Sequence, residues 1–193
     1  MQGRIKAAYS TTMKDLRAIA IESKRLSLRS FTGADAAESF AAATVVVTRF
    51  MGWDPSPSPA AFAEIWREWL PQMAAGTDLV LTVRLRLTGE FLGAAGLHRI
   101  ANPEPELGIW IKEQMQGIGY GREAVAAAIA WAARALAATS FEYPVAVENL
   151  RSRRVAESLG GLQVGTRMRR KPNGVVLDEV VYRIPVTSAT GAE

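Results

Sequence analysis

The stretch "WIKEQMQGIGYGREAVAAAIAW", residues 110–131, decides the fold. It begins as the end of a short apolar strand, "ELGIWIK" (106–112), and meets glycines at 117, 119 and 121. It then becomes an alanine-rich helix from about Tyr120 to Ala138, with Val125, Ile129, Ala132 and Leu136 on one buried stripe. Glycine reaches backbone conformations closed to other residues and leaves room for a close approach. A helix N-terminus offers unpaired N–H groups and about half a positive charge. A strand, a bare glycine turn and a helix start together predict a seat for an anionic ligand.

Three phosphate-binding patterns are candidates. A Walker loop needs Gly-Lys-Ser/Thr at its end, and none follows here. A dinucleotide fingerprint needs a third glycine where Arg122 stands. The third is a cradle of backbone N–H groups, with Gly117, Gly119 and Gly121 letting the chain hug a pyrophosphate.

Outward from this turn the chain alternates strands and helices. "KRLSLRSF" (24–31) alternates apolar and polar residues, as a half-buried strand does. A helix is predicted from Ala34 to Arg49, and "GWDPSPSP" (52–59) is a loop because its prolines cannot continue a helix. Phe62, Ile65, Trp66, Trp69 and Met73 fall at helical spacing and read as core. Strands at 78–86 and 90–100 surround a turn at Thr88-Gly89. After the glycine helix come a strand at 142–148, a helix at 149–161 capped by Asn149 and stopped by Gly160-Gly161, and two strands around Pro172-Asn173-Gly174. The order is β-α-α-β-β-β-α-β-α-β-β. It predicts one α/β domain with a mixed, mostly antiparallel sheet and flanking helices over residues 24–185. Residues 1–23 read as an N-terminal extension and 186–193 as a frayed tail.

The 193-residue chain has no cysteine, so disulfides, thiolate nucleophiles and cysteine metal sites are excluded. Its single histidine, His98, excludes a multi-histidine cluster, and no metal is expected. The net charge of +4 is too mild to signal nucleic acid. The excess is local: Arg151, Arg153, Arg154, Arg167, Arg169, Arg170 and Lys171 face one acid, Glu157, between positions 149 and 171. Two readings stand for this cluster, a solvated face or a site for a phosphorylated ligand. No apolar signal core precedes residue 24, and the longest run free of polar residues, Ala124 to Ala133, is too short for a bilayer. The expectation is a cytoplasmic protein without a membrane partner.

"QGIGYG" (116–121) resembles the Q/R-x-x-G-x-G/A signature of the GNAT superfamily of acyl-CoA-dependent N-acetyltransferases. "VENLRSRRVAESLGG" (147–161) is similar to that family's second cofactor segment, and "KRLSLRSFTGADA" (24–36) to the opening of the branch holding ribosomal-protein alanine and spermidine acetyltransferases. The resemblance implies a GNAT-like fold and acetyl-CoA as cosubstrate. It implies that Gln116, Gly117, Ile118, Gly119, Tyr120 and Gly121 wrap the pyrophosphate. Ile109, Trp110 and Ile111 would pair their backbone with the pantetheine arm. Asn149 would bond that arm and Ser152 would lie along it, while Arg122, Arg151 or Arg153 could meet the phosphates.

With no Ser-His-Asp set and no cysteine, direct attack by a bound amine is the economical chemistry, and it depends mostly on positioning. Glu106 is the candidate base, since in this branch an acid at that position serves so, commonly through water; its bland reading is a strand-edge carboxylate paired with an arginine. His98 is the alternative base, or a structural histidine. The family's usual acid tyrosine is replaced by Ala156, which leaves Ser152 or solvent to protonate the thiolate, and Gly161 stands where an aromatic is usual. Acceptor choice falls to the first two helices and their loop, with Trp53, Asp54 and Trp66 singled out and Asp54 suited to a cationic amine. The expected function is acetyl transfer to a primary amine, a protein N-terminus or a small molecule, and a homodimer is left open. The competing readings are a catalytically silent CoA-binding sensor or scaffold, and an unrelated nucleotide-binding domain.

Overall fold

The computed structural model describes residues 15–186. The expectations for residues 1–14 and for nearly all of the C-terminal tail lie outside the described residues. Eight strands form one sheet in the order β1-β2-β3-β4-β5-β6-β8-β7. They are β1 (Ala20–Glu22), β2 (Leu26–Ser30), β3 (Leu79–Leu85), β4 (Phe91–His98), β5 (Glu106–Ile111), β6 (Ser140–Ala146), β7 (Leu162–Arg170) and β8 (Val176–Pro185). Every neighbouring pair is antiparallel except β5–β6, which the helical crossover between them makes parallel. The mixed sheet expected from the element order is therefore present.

The helices are α1 (Ala36–Ala42), α2 (Val45–Thr48), α3 (Pro59–Ala75), α4 (Tyr120–Leu136) and α5 (Leu150–Ser158). The helix predicted over 34–49 is interrupted. A 3-10 turn at Gly33–Asp35 leads into α1, Ala43 leaves helical geometry, and Thr44 caps α2 by accepting from the Val47 N–H. Thr44 can serve that role because its hydroxyl competes for backbone N–H groups, and the β-branched run Val45–Val47 supports helix weakly. α3 starts at its signals: the Ser58 hydroxyl accepts from the Ala61 N–H at 3.1 Å, Pro59 opens the helix, and Gly76 ends it at φ 72°.

One strand was not expected. β1 pairs antiparallel with β2, and Leu16 just before it is fully buried, its N–H bonded to the Met73 carbonyl. α1 and α3 cover one sheet face, where Ala94, Gly96, His98, Gly108 and Trp110 point. The alternate residues Leu97, Leu107 and Ile111 are buried in the core cluster with Ala124, Val125 and Ala128 of α4.

Candidate active site

The site grows from a defect in the sheet. β5 and β6 share one register pair, Glu106 with Glu142, where the Glu142 N–H also bonds the Pro105 carbonyl at 3.0 Å. On its other edge β6 pairs with β8 along the whole of Ser140–Ala146, but towards β5 the pairing goes no further. The β6-facing backbone edge of Gly108–Ile111 is thus left without a strand partner, as the reading of Ile109, Trp110 and Ile111 requires.

At the end of that edge lies the glycine turn. Gln116 Nε2 donates to the Ile111 carbonyl at 2.8 Å, and its Oε1 accepts from Arg151 at 3.2 Å, so one side chain joins β5 to α5. Gly117 and Gly119 have φ of 80° and 87°, in the left-handed region that favours glycine. Gly119 is the N-cap of α4 and offers no side chain to its N–H groups. Gly121 differs: a methyl there would meet only Ile111 Cγ1, at an ordinary 3.7 Å, so neither strain nor internal packing calls for glycine. Arg122 leans away and bonds the Ser158 hydroxyl at 3.0 Å.

A residue that sequence reasoning missed braces this turn. Arg25 donates to the Ile118 carbonyl at 3.2 Å, lies 4.5 Å over the Tyr120 ring, and bonds Glu123 through its side chain at 2.6 Å. Burial pushes the Glu123 carboxyl up, but the bonds from Arg25 and Ser23 outweigh it and hold it below the usual range. No local signal could have paired positions so distant in sequence.

Across the cleft, Asn149 caps α5 by accepting from the Ser152 N–H at 3.2 Å. The Ser152 hydroxyl is 2.9 Å from the Tyr143 hydroxyl. Burial pushes the Tyr143 phenol up to about 12, so it keeps its proton behind Ser152.

Glu106 is held by three guanidinium groups: Arg99 at 2.8 Å, Arg167 at 3.0 Å and Arg169 at 3.2 Å. The two β7 arginines also bond the buried Glu179 of β8, at 2.7 and 2.9 Å, while Arg99 reaches Glu142 at 2.6 Å. Burial pushes the Glu106 carboxyl up, but Arg167, Arg169 and Arg99 more than reverse this and leave it below its ordinary value.

Beside Gly108 a cavity of about 270 Å³ opens between the sheet, α1, α3 and the α2–α3 loop. Its walls are chiefly aromatic and aliphatic, including Phe31, Phe40, Trp53 and Trp110. Phe62, Ile65 and Trp69 of the α3 stripe expected to be core also line it. Trp66 does not; it packs on Phe31, with ring centres 5.9 Å apart. His98 stands in the cavity wall with Nδ1 3.0 Å from Asp78.

The sequence profile of the "Acetyltransferase (GNAT) domain" matches residues 25–161. The chain belongs to the GNAT acetyltransferase family. No curated protein sequence matches it significantly. Among solved structures, a spermidine N-acetyltransferase from Vibrio cholerae, in complex with CoA and spermine, superposes with a TM-score of 0.73 at 20% identity, covering 84% of this chain and 96% of that one. A ribosomal-protein-S5-alanine acetyltransferase from Vibrio fischeri gives 0.69 at 18% identity, covering 86% and 96%. At these identities the likeness is one of fold.

The two departures from the GNAT pattern have local causes. Ala156 is fully buried, and a methyl on Gly161 would fall 2.7 Å from the Ala156 carbonyl oxygen, which excludes an aromatic there as the backbone runs. The basic segment divides rather than forming one phosphate site. Arg167, Arg169 and Lys171 are spent on internal carboxylates, Arg153 bonds the Tyr182 hydroxyl, and Arg151 alone reaches the glycine turn, through Gln116. Asp54 does not await a cationic amine. It bonds buried Lys171 at 3.0 Å and the Asn173 side chain at 2.8 Å, fastening the α2–α3 loop to the β7–β8 hairpin.

Proposed function

We propose that this GNAT enzyme transfers acetyl from acetyl-CoA to a primary amine by direct attack within a ternary complex. The observation that carries the reading is the glycine turn set at the end of an unpaired strand edge. The backbone of Ile109, Trp110 and Ile111 would hold the pantetheine arm as a missing strand would. The N–H groups from Gln116 to Gly121 and the start of α4 would take the pyrophosphate. Gly121 supports this, since space for a ligand is what remains to explain its missing side chain. Asn149 and Ser152 would line the arm's other side, and Arg122 and Arg151, on the first turns of α4 and α5, would meet the phosphates.

Glu106 receives a different role from the one its position suggests. A base works best with a pKa near the working pH. Three arginines move Glu106 the other way, so in this reading it ties β7 to the mouth of the splay. Calorimetry with acetyl-CoA and CoA tests the cofactor reading. At about one hundred times its dissociation constant the cofactor should add roughly 2.7 kcal/mol to stability. No binding at millimolar acetyl-CoA would refute it, and binding without CoA release across an amine panel would leave the silent sensor.

A further inference from the structure

We infer that the apolar cavity takes the body of a small aromatic or aliphatic amine, and that His98, oriented by Asp78, accepts the amine's proton. The inference rests on the acetyl-transfer reading above and adds a substrate class and a catalytic residue to it.

The imidazole is built into its position. A methyl on Gly96 would lie 2.5 Å from His98 Nε2, and one on Gly108 would lie 3.9 Å from it. Gly96 on β4 therefore leaves the space that the ring occupies, while Gly108 on β5 stands at an ordinary contact distance from it. The Asp78 carboxylate, an acceptor only, fixes the hydrogen of the neutral ring on Nδ1. That leaves a lone pair on Nε2, which makes no hydrogen bond among the described residues and lies over Gly108, where the splayed edge of β5 begins. The His98 side chain is 43% exposed, so a proton it takes can pass to water. The charged groups around it are Asp78 before β3 and, across the β4–β5 register, Glu106 with its bound Arg99. The residues lining the cavity from α1, α3 and the α2–α3 loop carry no charge.

The cavity selects by the same features. It has no carboxylate to receive an ammonium group, and an apolar site disfavours the charged form of an amine. Its volume is at the small end for ligand sites, which suits one ring or a short chain better than a peptide. In the reaction the amine nitrogen attacks the thioester carbonyl carbon and a C–N bond forms. The C–S bond breaks with its electron pair going to sulfur. The amine proton moves to His98 Nε2, the thiolate takes a proton from solvent, and the imidazolium returns its own to solvent.

Because His98 is the chain's only histidine, its imidazole gives a single NMR signal set in the tag-free protein. Phenethylamine should shift those signals, and spermidine at equal concentration should not. With acetyl-CoA and phenethylamine, His98→Gln should lower kcat/KM by about a hundred-fold to ten-thousand-fold with acetyl-CoA affinity unchanged. The acidic limb of the wild-type kcat/KM profile should follow the measured titration of the His98 signal and vanish in His98→Gln. Asp78→Asn, a positioning change, should lower kcat at constant KM. An imidazole signal indifferent to phenethylamine overturns the inference. So does His98→Gln activity within about threefold of wild type, or a preference for spermidine. Failure of acetyl-CoA to bind in calorimetry would instead strike the cofactor reading, since the imidazole response to the amine is measured without it.

Discussion

Glu106→Gln separates an anchoring carboxylate from a catalytic one. The change keeps the shape and removes the charge that three arginines share. It does not strand them, because Arg167 and Arg169 keep Glu179 and Arg99 keeps Glu142. The loss is therefore smaller than the 3–5 kcal/mol typical of breaking a buried pair. Hydrogen bonds to charged groups are worth about 1.5–3 kcal/mol each. Glutamine retains one acceptor oxygen, and half-exposed Arg99 adds least. A net cost of about 2–3 kcal/mol at neutral pH follows, or a fall in Tm of roughly 4–12 °C for a domain of this size. The sign with pH is fixed by the depressed pKa of Glu106 in the folded state. Its contribution is complete above the unfolded value, near 4.3, and fades as pH falls through the lower folded value. Urea unfolding of wild type and variant at pH 7, 5, 4 and 3 should show a gap that is constant at the first two and narrows at the last two. A gap unchanged at pH 3, or none at pH 7, refutes the anchoring argument. Unaltered stability together with a hundred-fold loss of turnover would return Glu106 to the role of base.

Two further outcomes follow from the site's geometry. Gly119→Val forces a β-branched residue to φ 87° and should cost about 1–2 kcal/mol of stability while lowering CoA affinity at least tenfold, measured by calorimetry on folded variant; wild-type affinity would mean the turn is no cradle. Among the described residues, Asp54→Ala leaves the buried Lys171 ammonium with only the Thr48 carbonyl at 3.1 Å, and should cost about 3–5 kcal/mol in urea unfolding. Lys171→Met in the same background should recover much of that loss, and no recovery would show that the latch is not electrostatic.

What the sequence made legible was the chemistry of near neighbours. The glycine turn, the Asn149 cap and the meander of β3 to β5 all depend on residues a few positions apart, and each stands where its spacing put it, whereas Pro59, read as the end of a loop, opens α3 behind the Ser58 cap. β1 escaped because three residues are too short to show alternation, and Leu16 because nothing local says that its carbonyl will meet the Ser30 hydroxyl. The α3 stripe carried a subtler ambiguity. Helical spacing of Phe62, Ile65 and Trp69 says that a face is shielded from water, but not whether another helix or a cavity does the shielding. Glu106 and His98 show where pattern stops altogether. They are opposite one another across β4 and β5, on the same sheet face, and both were legible as candidate bases. Their difference comes from partners: β7 arginines more than sixty positions away claim the carboxylate, and Asp78 twenty positions back claims only Nδ1 of the ring. A carboxylate with its oxygens bonded to arginines has little left to offer a substrate proton. An imidazole bonded on one side keeps a lone pair on the other, and here that lone pair rests over the glycine at which the sheet opens.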